Sequence, residues 1–106
     1  MGLLDLLFGG SKSAEKLKEV VNKGAFLVDV RSSGEFKSGS VKGAVNIPLD
    51  SIQGQLSKFK GKENVVVFCK SGMRSSQAKL ILERNGVGNV YNGGTVSKVS
   101  NLLSSK

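Results

Sequence analysis

The chain predicts a single α/β domain with a mainly parallel central sheet flanked by helices, and three observations carry that expectation. Two apolar runs, AFLVDV (25–30) and NVVVF (64–68), are continuous rather than alternating, as in strands covered on both faces. Stretches with helical spacing of apolar residues follow or precede such runs, as βαβ units require. Glycines stand where helices should stop, at Gly24 and Gly86. At 106 residues there is room for one core and not for two.

Taken in order, MGLLDLLFGG (1–10) is apolar but too short to span a bilayer, and it lacks the basic start and cleavage pattern of a signal peptide. Leu6 stands where a myristoylation pattern needs Ser or Thr. Gly9, Gly10 and Ser11 look like a hinge, which sets residues 1–12 apart from a domain at 13–106. Ser13 can cap a helix with Ala14, Leu17, Val20 and Val21 on one face. After strand 25–30, SSGEFKSGS is a helical turn and loop, and GAVNIP is a short strand closed by Pro48. Asp50 and Gln53 resemble a capping pair for a helix over roughly 51–57. The β-branched run 64–68 is the strongest strand signal. A helix then runs to about Asn85 with Ala78, Ile81 and Leu82 on one face, and Val87 packs back past Gly86. NVY (89–91) is a last strand, Gly93 and Gly94 a turn, and Val96 to Leu103 a final amphipathic helix.

Composition narrows the function. The chain has no histidine, which removes Ser-His-Asp and Cys-His catalysis, and its one cysteine cannot form an internal disulfide. With that donor set no metal is expected, and no cofactor motif is present. Sixteen basic against eight acidic residues give a formal charge of +8, which favours anionic partners. The charge is scattered, and Lys58, Lys60 and Lys62 are expected in a solvated loop. Aromatics are few and no RNA-binding signature appears, so no nucleic acid partner is expected. A cytoplasmic monomer without a membrane span is the expectation.

The stretch VVVFCKSGMRSS (65–76) holds the only cysteine, at the carboxyl end of what should be a central strand. In open parallel sheets, ligands bind at these ends. A free cysteine is often just a small buried apolar residue. Here, however, Lys70, Ser71, Gly72, Met73, Arg74 and Ser75 follow it and lead into a helix. A tight loop of this kind turns its N–H groups inward as an anion nest, and the helix start adds partial positive charge. Lys70 and Arg74 add full charges, and Gly72 permits a positive φ. Each of these favours thiolate over thiol, so Cys69 needs no histidine to become a nucleophile.

Three stretches then resemble a single-domain rhodanese, a sulfurtransferase-type domain. LVDVRSSGEFKSGSVKGAVNIPL (27–49) is similar to the family's Asp-x-Arg, Glu-[Phe/Tyr] and Gly-His-Ile-x-Gly-Ala-x-Asn-[Ile/Leu]-Pro block. VVVFCKSGMRSSQAKLILERNGVGNVY (65–91) is similar to the active-site strand, loop and helix, and NGG (92–94) to the glycine pair after the last strand. The resemblance implies a Cys69 persulfide formed from a small anionic donor such as thiosulfate and passed to cyanide, a thiol or a protein acceptor. It implies that N–H groups of Lys70 to Ser75 hold the persulfide and that Arg74, with Lys70, steers the donor. Ser71 and Ser75 hydroxyls would contact the sulfur or the leaving sulfite. Asp29, Arg31 and Glu35 would be a structural ion-pair and hydrogen-bond group beside the site. Two positions depart from the pattern: Ser40 replaces the usual histidine and Lys98 the usual tryptophan, both expected to be packing positions.

Phosphatases of this fold use Cys-x5-Arg, whereas Cys69 to Arg74 is Cys-x4-Arg, a loop too short to encircle a tetrahedral oxyanion. Phosphatase and arsenate reductase activity are therefore expected to be absent. A persulfide carrier, docking on a protein partner with little thiosulfate turnover, needs the same loop and stays open as the alternative.

Overall fold

The computed structural model describes residues 14–104. Its centre is β3 (Val65–Cys69), five residues all buried. β1 (Phe26–Asp29) pairs with it on one side and β4 (Val90–Thr95) on the other, while β2 (Val45–Asn46) adds to β1. The order is β2-β1-β3-β4 and every pairing is parallel. β-branched side chains suit a strand covered on both faces, and the absence of polar alternation follows from that cover.

Side chains of β3 point alternately to two layers. Val66 and Phe68 meet Leu17, Val20 and Val21 of α1 (residues 14–22) and Val99 of α4 (Val96–Ser104). Val65, Val67 and Cys69 meet Ala78 and Leu82 of α3 (Met73–Arg84), and Ile52 and Phe59 of a 3-10 segment (Leu49–Phe59). A short helix, α2 (Ser33–Lys37), follows β1 and carries a capping box between Ser32 and Glu35. Strand alternation thus sends Cys69 toward α3, whose first residues follow it in sequence.

Gly24 and Gly86 take φ of +90° and +85°, ending α1 and α3 as expected, and the Val87 N–H donates to Leu82 O at 3.0 Å. Lys58, Lys60 and Lys62 are exposed, and the Lys62 ammonium lies 4.6 Å over the Phe26 ring. The apolar start, the hinge, the Ser13 cap and the boundary at residue 13 lie outside the described residues.

Four details differ from the expectations. Ala14 is exposed and does not share the buried face of Leu17, Val20 and Val21. The helix expected at 51–57 is a 3-10 segment, Leu49–Phe59, interrupted at Gln55 (φ −128°, ψ 29°). Its capping position is Pro48, whose ring has no acceptor to serve as a side-chain cap, and the Leu49 N–H is tied to Val30 O at 3.0 Å. Asp50 therefore falls inside the first turn, and Gln53 reaches Asn85 instead, donating at 3.3 Å.

The fourth difference bears on the site. Gly93 and Gly94 are not a turn: β4 continues through them to Thr95 by a bulge, with Val67 opposite Asn92 and Phe68 opposite Gly94. The glycine is needed for close approach. A Cβ on Gly93 would fall 2.6 Å from Val99 Cγ2 and 2.9 Å from Val66 Cγ1. Gly93→Ala should lower stability by about 1–3 kcal/mol through this overpacking, read as a reduced melting temperature. An unchanged melting temperature would contradict the close packing of α4 on β4.

Candidate active site

β3 fixes Cys69 at its carboxyl end, and the chain then turns through Lys70, Ser71 and Gly72 into α3. Gly72 has φ of +93°, a conformation a side chain would strain; it leads the chain into α3 while the Gly72 N–H donates to Cys69 Sγ at 2.9 Å. Ser75, fully buried on the first turn of α3, places Oγ 3.5 Å from the same sulfur. Ser76 N–H closes the turn on Gly72 O at 3.1 Å. Cys69 is itself fully buried, whereas Lys70, Ser71 and Met73 are exposed.

Burial pushes the Cys69 thiol up, since an anion loses hydration there. Hydrogen bonds from the Ser75 hydroxyl and from the N–H groups of Ser75, Ser71 and Gly72 outweigh it. The net result holds the thiol below its ordinary value. The loop therefore stabilises negative charge on sulfur with neutral dipoles. The Gly72 N–H makes the hydrogen bond to the sulfur, and the N–H groups of Ser71 and Ser75 add to lowering the thiol.

The charged residues are arranged differently from the simplest expectation. Arg74, expected to steer an anion, makes a two-pronged bond to Glu35, with Nη1 2.8 Å from Oε1 and Nη2 3.1 Å from Oε2. Glu35 also accepts from the Ser32 backbone N–H at 3.1 Å and the Ser32 hydroxyl at 3.0 Å. Asp29 and Arg31 form a separate pair, Nη2 to Oδ2 at 2.7 Å, with the carboxylate fully buried. Ser40 donates to the same Asp29 oxygen at 2.7 Å, and Arg31 Nη2 donates to Gly39 O at 2.7 Å. Thus Asp29 and Arg31 brace the loop after α2, while Glu35 braces Arg74. Lys98 lays its chain against Gly94, where a Cβ would sit 3.5 Å from Lys98 Cδ.

Asn92 is a site residue that the sequence reading passed over. Its Oδ1 accepts from Ser75 Oγ at 2.6 Å and from the Gly94 N–H at 2.9 Å, and its Nδ2 donates to Gly72 O at 3.3 Å. The signal that points to it is placement: a polar residue inside the strand beside the cysteine strand, opposite Val67 and just before the glycine pair. Among the described residues, no group of three or more His, Cys, Asp or Glu side chains is placed to hold a metal.

Parallel α/β domains that hold a cysteine in an N–H-lined loop at a strand end form a structural class. Within it, the chain belongs to the rhodanese-like domain family, whose family model matches residues 13–97. It is 36% identical over 73 residues to a sulfurtransferase of Allochromatium vinosum, covering 67% of this chain and 68% of that protein. A putative mitochondrial thiosulfate sulfurtransferase of Schizosaccharomyces pombe is 36% identical over 84 residues, which cover 67% of this chain and 59% of the relative. The chain thus spans between half and about two thirds of the length of such curated relatives. A solved Escherichia coli rhodanese with anions superposes with a TM-score of 0.64 at 32% identity, covering 71% of this chain and 91% of that one. Other relatives carry different names: a putative sulfur carrier protein of Bacillus subtilis at 28% identity, and a tRNA uridine(34) hydroxylase of Buchnera aphidicola at 30%, of which the match covers 30%.

The Glu35–Arg74 pair gives a pH signature. Hydrogen bonds from Arg74, then from the Ser32 N–H, hold the Glu35 carboxyl at about 2, below its ordinary 4.5. A lowered folded value means a contribution present above the unfolded value and lost as pH falls toward the folded one. Urea midpoints of the wild type and Glu35→Gln should differ by a constant amount above pH 4.5 and converge as pH approaches about 2. A difference that does not depend on pH would contradict the ion pair.

Proposed function

We propose that the chain is a sulfurtransferase that moves a sulfane sulfur through a persulfide on Cys69. The observation that carries the reading is the 2.9 Å bond from the Gly72 N–H to Sγ, in a loop that lowers the thiol without any histidine. The Cys69 thiolate attacks the outer sulfur of thiosulfate. A new S–S bond forms, the bond to the sulfonate sulfur breaks, and sulfite leaves with its electron pair. The outer sulfur of the persulfide is then attacked by cyanide or a thiolate, which takes that sulfur and returns Cys69 to the thiolate.

Each half of the cycle leaves negative charge at the mouth of the same loop, so one set of N–H groups serves thiolate and persulfide. Lys70, Ser71 and Met73 form the exposed part of the loop, and Lys70 supplies the charge that meets an incoming dianion. The Arg74 guanidinium contributes to that field with its charge offset by Glu35. The sulfurtransferase names among the relatives support the same chemistry.

A second reading has its own observation. Cys69 is fully buried, so a donor reaches the sulfur only when the loop yields, a step that a docked protein partner can drive better than a free small anion. A persulfide carrier that delivers sulfur to such a partner fits this cover, and one relative is named a putative sulfur carrier. Mass spectrometry after thiosulfate alone should show a gain of one sulfur atom, removed by cyanide and absent in Cys69→Ser. Rapid thiosulfate:cyanide turnover would select the enzyme, and a stable persulfide with slow turnover the carrier. No sulfur uptake from thiosulfate or persulfide donors would overturn both.

A further inference from the structure

One side chain from outside the cysteine loop touches it at two points. Asn92 reaches from β4 to the Ser75 hydroxyl at 2.6 Å and to the Gly72 carbonyl at 3.3 Å. These are the two residues whose hydroxyl and N–H meet Cys69 Sγ. The amide orientation is fixed by its surroundings. Turned over, its NH2 group would face the Gly94 N–H, which now donates to Oδ1 at 2.9 Å.

Ser75 has one hydroxyl proton and three neighbours: Asn92 Oδ1 at 2.6 Å, Gly72 O at 3.1 Å and Sγ at 3.5 Å. The two oxygens can only accept, so the proton rests on the shorter of those bonds, toward Asn92. The Ser75 lone pairs then face the sulfur and accept from the thiol S–H. When Cys69 is a thiolate, the same hydroxyl has to turn and donate to sulfur. Asn92 Oδ1 keeps the Gly94 N–H as a partner when this happens, so the turn leaves no acceptor stranded.

We propose that Asn92 is a positioning residue of the cysteine loop: it holds the Ser75 proton while sulfur is protonated, releases it when sulfur is charged, and anchors Gly72 so that its N–H stays on Sγ. The inference rests on Cys69 being the reacting group. Both functions of the amide are needed. An aspartate keeps the acceptor, loses the donor to Gly72 O, and binds the Ser75 proton more firmly while adding negative charge close to sulfur. An alanine removes the anchor and leaves Gly72 O as the remaining place for the Ser75 proton. Other charged groups around the sulfur are Lys70 and Arg74 on its own loop, Glu35 on α2, Asp29 and Arg31 at the end of β1, and Lys98 on α4 beside Gly94. Neither substitution alters any of these.

The test is the pH midpoint of the thiolate ultraviolet absorbance, read as the difference from the Cys69→Ser form of the same protein so that only the single cysteine contributes, and it needs no substrate. Asn92→Asp should raise the midpoint by about one unit or more. Asn92→Ala should move it in the same direction by less, with a circular dichroism spectrum like that of the wild type. A folded Asn92→Asp protein with an unchanged or lowered midpoint would overturn the proposal. If Asn92→Asp fails to fold, the same result in Asn92→Ala decides. Sulfur uptake from thiosulfate is measured on the same samples. Raised midpoints with no uptake even in the wild type would leave the positioning role standing and remove the sulfur-transfer function.

Discussion

The hydrogen bond from the Gly72 N–H to Cys69 Sγ, 2.9 Å long, is the contact around which the rest of the site is arranged. It requires a sulfur that does not move and a peptide turned against the usual backbone preference. β3 meets the first requirement by burying all five of its residues between two helical layers. The φ of +93° at Gly72 meets the second, and only glycine takes it without steric cost. A side chain there would also approach the neighbouring strand, with a Cβ 3.6 Å from the Gly94 Cα. The glycine pair of β4, the bulge that contains it and the cysteine loop are therefore one packing problem.

Two opposing effects set the chemistry. Burial costs the thiolate its water, and the loop returns hydrogen bonds aimed at the sulfur. The loop wins because its backbone donors are fixed in place before any charge appears and the Ser75 hydroxyl has only to turn from Asn92 to the sulfur, so no donor is recruited from solvent. Most of the nearby full charges cancel in pairs, Arg31 with Asp29 and Arg74 with Glu35. What remains is a field of dipoles with Lys70 at its edge and Lys98 beside Gly94. Such a site suits a group that alternates between thiolate and persulfide, each carrying a single negative charge. Under the proposed function it is also what would let a domain without histidine activate its cysteine.

The parts legible in the sequence are those fixed by neighbours along the chain. Continuous valine runs announce a parallel sheet because both faces are covered, and the order of strand, loop and helix around Cys69 is local. Gly72 and the start of α3 follow from the same dozen residues. What was not legible depends on distant contacts. Gly93 and Gly94 look like a turn until Val99 of α4 is seen against them. Asp50 looks like a cap until the segment is seen to start at Leu49, where the chain is tied to Val30 of β1. Asn92 lies 17 residues from Ser75 and Glu35 lies 39 from Arg74, separations at which no periodicity reports a pairing. Ser40 replaces the histidine of the family pattern and still makes a specific contact, a 2.7 Å bond to buried Asp29.

The central claim is that this loop stabilises the anion of Cys69 more than burial opposes it. The direct measurement is a pH titration of the single thiol in the folded wild type, compared with the same chain in denaturant. The folded midpoint should lie below the unfolded one. A folded midpoint at or above the unfolded value would mean that burial wins, and Cys69 would then be a core residue in a rhodanese-like fold.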